Sequence, residues 1–160
     1  MFVAFFESVK YVGHLIPVAF LRIFLGYLYF GFALTKFKGD FLNRPRLAAE
    51  LTEALSSLQS PIWYKTWVEN FVIPHWQPFA FVLVGIEFAV AFSYLFGYVV
   101  RPVAILATIV SFNQLAFSMP GQEPFFRTLV AVHFTLAWVG AGRCLGFDYY
   151  FFKRRRGLWW

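Results

Sequence analysis

The sequence predicts an all-α integral membrane protein, a four-helix bundle with a long extracytoplasmic connection that carries interfacial helices. Three observations lead there. Of the 160 residues 60% are hydrophobic and only 14% charged, where a soluble domain has about a quarter charged. The hydrophobicity is concentrated in long blocks. The stretch at residues 79–97 holds one charged side chain, Glu87, with apolar residues on every helical face. At about 1.5 Å per residue that stretch matches a hydrocarbon core of about 30 Å.

In order, residues 1–13 form a short aromatic lead with Phe2, Phe5, Phe6 and Tyr11, expected at the membrane interface. The first spanning helix is expected over about residues 15–35, with Pro17 tolerated in its first turn. Its apolar stretch contains Arg22, runs long and lacks a small-residue cleavage motif, so it is expected to remain as a helix. Arg22, Gly26, Tyr29, Phe30 and Ala33 share one stripe at helical spacing. Small residues on that stripe permit close helix contact and turn Arg22 toward neighbouring helices.

Residues 36–78 form the long connection, with surface helices over about residues 45–73. Leu47, Leu51, Ala54, Leu55 and Leu58 fall on one side of an amphipathic helix begun by Pro45. Ser60-Pro61 reads as an N-cap and first residue of a second short helix. That helix carries Trp63, Trp67 and Phe71 at i, i+4, i+8, which fits the headgroup boundary; a small soluble cap on the bundle is the alternative. Pro74 and Pro78 lead into the Glu87 helix at 79–97. The third span is expected at about 102–118, broken by Met119-Pro120-Gly121, and the fourth at about 124–142. A basic tail occupies 153–160. The whole chain reads as one domain.

The net charge of +6 comes from basic residues at helix ends and in the tail. It reads as membrane topology, not nucleic-acid binding. Four spans put both termini on one side with Lys10, Arg101, Arg143 and the run 153–156, which makes that side cytoplasmic by the positive-inside rule. The single cysteine, Cys144, excludes intrachain disulfides, CxxC chemistry and thiolate metal cages.

Five polar residues fall inside the spans: Arg22, Glu87, Asn113, Gln114 and His133. Glu87 lies near the bilayer centre, where an ionised carboxylate is costly unless paired, protonated or facing water. The first expectation is a contact between Arg22 and Glu87, either a buried ion pair that fixes helix register or part of a site. His133 shares a stripe with Ala137, Gly140 and Cys144 and faces a close neighbour, as an interhelical hydrogen-bonder or a proton carrier. His14 and His75 lie at helix ends, which argues against bis-His haem, and no second ligand at suitable spacing supports zinc. In the functional reading Glu87 and His133 are candidate proton carriers. Arg22, Asn113 and Gln114 line a ligand pocket open to the membrane, where amides hydrogen-bond a carbonyl such as a quinone oxygen.

Leu21-Arg22-Ile23, Leu25-Gly26, Phe30-Gly31 and Lys36 open a set of short motifs in fixed order. Val84-Gly85-Ile86-Glu87, the glycine turn with Arg101, His133 and the run from Gly140 to Asp148 complete it. In these the chain resembles the DoxX family of four-helix membrane proteins over most of its length outside the 36–78 connection. The resemblance implies a four-helix bundle and association with electron-transfer partners, since family members include a small subunit of thiosulfate:quinone oxidoreductase. The expectation is a bacterial inner-membrane subunit that supports quinone-level redox chemistry beside a partner carrying the redox centre. The alternatives are a structural or assembly subunit of a membrane complex, and a small-molecule or proton carrier. The long Trp-rich connection departs from the compact family pattern.

Overall fold

The computed structural model describes residues 10–57, 61–118 and 121–154. The lead before residue 10, Ser60, the Met119-Pro120 break and the tail from 155 onward lie outside the described residues. The described chain is helical, with no strand among those residues. Seven α-helices follow in order: α1 (Ile16–Lys38), α2 (Arg46–Ser57), α3 (Ile62–Trp67), α4 (Trp76–Phe96), α5 (Val100–Ala116), α6 (Glu123–Val139) and α7 (Asp148–Arg154).

Two helical segments are long and apolar enough to cross a membrane, Lys10–Lys38 and Trp76–Phe96. The first is longer than the expected span at both ends. The end of the lead joins it through a 3-10 turn at Gly13–Leu15, and Lys36 and Lys38 belong to its last turn. The cations there favour the negative end of the helix dipole. In α4, Pro78 sits within the first turn and does not precede the helix; a first-turn residue has no intrahelical use for an N–H, so proline is tolerated. Pro102 occupies the same third position of α5. Helix α3 starts at Ile62, directly after Pro61, and continues into a π-helical turn at Val68–Val72. Trp63 and Phe71 are at least half exposed on that segment.

Helices α1 and α4 pack along each other, and so do α5 and α6. Gly26 sets the closest approach of the first pair: a Cβ there would meet the Leu95 backbone nitrogen at 2.9 Å and the Tyr94 Cβ at 3.0 Å. All four helices contribute to one apolar cluster, with Leu25 and Tyr29 from α1, Val90 and Tyr94 from α4, Ala104 from α5 and Leu136 from α6. A second, smaller cluster of Phe41, Leu42, Ala80 and Val84 lies where the connection leaves α1 and crosses α4. Leu47 of α2 packs against it, which seats the amphipathic helix on that end of the molecule.

Candidate functional site

The structure separates Arg22 from Glu87. Arg22 is wholly buried. Its Nη1 donates to the carbonyls of Ala141 at 2.7 Å and Cys144 at 3.1 Å, and its Nη2 to that of Leu145 at 2.8 Å. These oxygens come from the chain just after α6, so one guanidinium binds three acceptors of a loop that no regular ladder satisfies. Gly97, at φ +64°, and Gly146 leave the room it needs, since a Cβ on either would collide with Nη1. Asp148 closes the same corner: Oδ1 accepts from the Val99 N–H at 2.7 Å and Oδ2 from the Val100 N–H at 3.0 Å. Those are N–H groups at the start of α5, and a carboxylate there also suits the helix dipole. Burial pushes the Asp148 carboxyl above its ordinary value, against those hydrogen bonds and the Arg22 and Arg143 charges.

The expected Arg22–Glu87 contact is therefore corrected. Arg22 lies against Gly97, and the ten residues from Glu87 to Gly97 are about 15 Å of helix, too far for a direct pair. Glu87 instead takes Lys36: Nζ to Oε1 is 2.5 Å, with the carboxylate side chain 5% exposed and the lysine 27%. The Lys36 ammonium also lies 5.3 Å from the centroid of the Phe41 ring.

Lys36 opens onto a cavity of about 470 Å³ between α2 and the facing ends of α5 and α6. Its polar lining is Lys36, Glu50, Asn113, Gln114 and Gln122; Phe41, Leu47, Leu83, Phe117 and Phe126 are among its apolar walls. The structure thus brings Asn113 and Gln114 together at one cavity and puts Glu87 directly behind its lysine. Asn113 donates its Nδ2 to the Tyr64 hydroxyl at 2.6 Å, which ties α3 to α5 beside the cavity and leaves Oδ1 as an acceptor. Burial raises the Tyr64 phenol, opposed by that bond.

His133 is elsewhere. It is fully buried, with Nε2 2.8 Å from the Tyr29 hydroxyl and Nδ1 2.7 Å from the Tyr94 hydroxyl. One imidazole thereby joins α1, α4 and α6. A neutral ring offers one donor and one acceptor, so one tyrosine donates to it and the other accepts. Neither His133 nor Arg22 lines the cavity. Among the described residues no three His, Cys, Asp or Glu side chains converge as a metal-holding group.

Lys36 was legible and missed as a site residue. The α1 stripe of Arg22, Gly26, Tyr29 and Ala33 reaches Lys36 at the next helical step, so extending it by one turn faces the lysine to the same neighbours. Tyr94 was legible in the same way, seven residues beyond Glu87 on one face of α4, whereas Asp148 lies beyond the last long helix, where no helical stripe marks it. Comparison of the chain with protein-family models, with curated proteins and with solved structures finds no match in any of the three.

Proposed function

We propose that this chain is a DoxX-like four-helix subunit of the bacterial inner membrane that holds a quinone-class molecule in the cavity beneath α2. A partner subunit supplies the redox centre. The observation that carries the reading is the cavity itself: one ammonium, one carboxylate and three amide side chains gathered at the end of apolar helices, with aromatic and aliphatic walls. Such a lining suits a flat carbonyl-bearing head on a hydrocarbon tail. Lys36 and the amides donate to carbonyl oxygens, and Glu87, behind the lysine, offsets its charge and can exchange a proton with it. His133 and Arg22 hold the helices in place in this reading.

The membrane assignment is supported by where the apolar surface lies. In the most apolar windows of the two long helices only 28% and 39% of residues are buried, whereas the core helix of a soluble protein is mostly covered. Ile105, Ile109 and Phe112 of α5 and Phe134 and Trp138 of α6 are likewise exposed, as lipid-facing positions are. Helices α5 and α6, at 17 residues each, give about 25 Å, a length that supports reading them as the third and fourth spans. The motif residues that suggest the DoxX likeness meet in two places, Arg22 with Gly97 and the 141–148 loop, and Lys36 with Glu87. The basic residues near the Arg22 end support a cytoplasmic side there, and in this reading the cavity faces the outer side.

The test is photolabelling of the purified protein in lipid nanodiscs with an azido-quinone. Label is expected in peptides containing Lys36 and residues 110–126, displaced by excess decylubiquinone and reduced at least about tenfold in Lys36→Met. Label spread over the lipid-facing helices, or undiminished by competitor, would overturn the quinone assignment.

A further inference from the structure

The cavity is lined by one cation, yet its electrostatics are not those of an anion site. Glu87 is absent from the lining and sits behind Lys36, so a ligand meets an ammonium already neutralised from the protein side. The amides on the lining, Asn113, Gln114 and Gln122, are uncharged; Gln114 is half-buried and the other two are exposed, as Glu50 is. The remaining charge on the lining is Glu50 of α2, on the exposed side of that helix. A carboxylate entering from solvent or lipid therefore passes one negative charge and reaches a cation whose field is cancelled within a few ångströms.

We propose that Glu87 is the specificity-determining residue of this cavity: by neutralising Lys36 it makes the site accept uncharged polar amphiphiles and reject fatty-acid carboxylates. This rests on the cavity being an amphiphile site, but not on the ligand being a quinone. Specificity of this kind comes as much from what is refused as from what is bound. In a membrane, where free fatty acids share the bilayer with neutral lipids, the paired lysine supplies the refusal. Removing the carboxylate leaves the hydrogen-bond donors in place and turns the cavity into a cation-lined pocket.

A matched pair of ligands tests this, because laurate and methyl laurate share a chain and differ in headgroup charge. Binding is measured by equilibrium dialysis into nanodiscs of zwitterionic lipid at pH 7.5, with empty nanodiscs subtracted. The wild-type protein is expected to prefer methyl laurate by about tenfold or more. Glu87→Gln is expected to raise laurate affinity about tenfold while methyl laurate changes less than about threefold, and Glu87→Asp to keep the wild-type order. A wild-type preference for laurate, or no laurate gain in a folded Glu87→Gln protein, overturns the proposal. If the Gln variant does not fold, Glu87→Ala is read in its place with the same expected laurate gain, and a wild-type preference for laurate overturns the proposal in either case. Loss of quinone labelling with the ligand ratio intact would remove the quinone assignment and leave this selectivity standing.

Discussion

At one end of the helices Arg22 is enclosed and directs its donors to three backbone carbonyls, whereas toward the other end Lys36 keeps a quarter of its side chain exposed and shares one carboxylate. Both are cations on the same stripe of α1. The difference lies in what surrounds them. Around Arg22, Gly97 and Gly146 bring the backbone so close that no side chain fits, and the loop after α6 folds onto the guanidinium. Around Lys36 the chain diverges: α1 ends, α2 packs toward α4, and a cavity of about 470 Å³ remains beside the ammonium. A charge held by three fixed carbonyls and enclosed by backbone serves as a joint, since no ligand can reach it. A charge satisfied by one carboxylate next to a cavity retains donors for a ligand.

The largest expected effect is at the closed end. Arg22→Met removes three charge-assisted hydrogen bonds and leaves the carbonyls of Ala141, Cys144 and Leu145 without their donor. The loss should be at least about 3 kcal/mol, read as a fall in detergent melting temperature or as failure to accumulate. Combined with Glu87→Gln, the two losses should add within about 0.5 kcal/mol, because the residues have separate partners. Coupling beyond that would join the two ends energetically and break the contrast.

A smaller effect is expected at the open end. Glu87→Gln leaves Lys36 without its counter-charge, but the lysine is able to turn into the cavity, so a loss of about 1–2 kcal/mol is expected. The Lys36→Met, Glu87→Gln double variant should regain part of it, since neither charge is then left unpaired in the interior. A double-mutant cycle on melting free energies measures that coupling. A cost equal to that of Arg22→Met would mean the pair is as rigid a joint as the guanidinium.

The smallest effect is a slope with pH from Asp148. Its folded carboxyl is held above the ordinary 3.8, chiefly by burial. In the window between 3.8 and that raised value the folded chain keeps a proton that the unfolded chain has released. Stability from this group is thus present below the window and is lost as pH rises through it, at no more than about 1.4 kcal/mol per pH unit. Melting curves of wild type and Asp148→Asn across that window should differ in slope with that sign. Equal slopes would show that the carboxylate is as well solvated in the fold as outside it.

Much of the architecture could be read from one dimension. Length and continuity of apolar blocks placed the long helices to within a few residues, because a 1.5 Å rise and a polar backbone allow few alternatives to a helix in such blocks. Helical periodicity put Arg22, Gly26, Tyr29, Phe30 and Ala33 on one stripe; four of the five are buried and Phe30 is half-buried. It also put His133 against close neighbours, since period alone identifies an inward face. Asn113 and Gln114, adjacent in sequence, lie at one cavity because they share a helix end. Periodicity does not contain depth relative to a neighbouring helix. The register of α1 against α4, set by the Gly26 contact, decided that Glu87 meets Lys36 and not Arg22. The Arg22 acceptors were illegible for a stronger reason. They are main-chain carbonyls of residues more than a hundred positions away, and any residue supplies a carbonyl, so only the folded loop assigned them. Residue type and spacing fix which groups face inward. Partner choice among inward groups depends on offsets of a few ångströms between helices, and those exist only once the helices have packed.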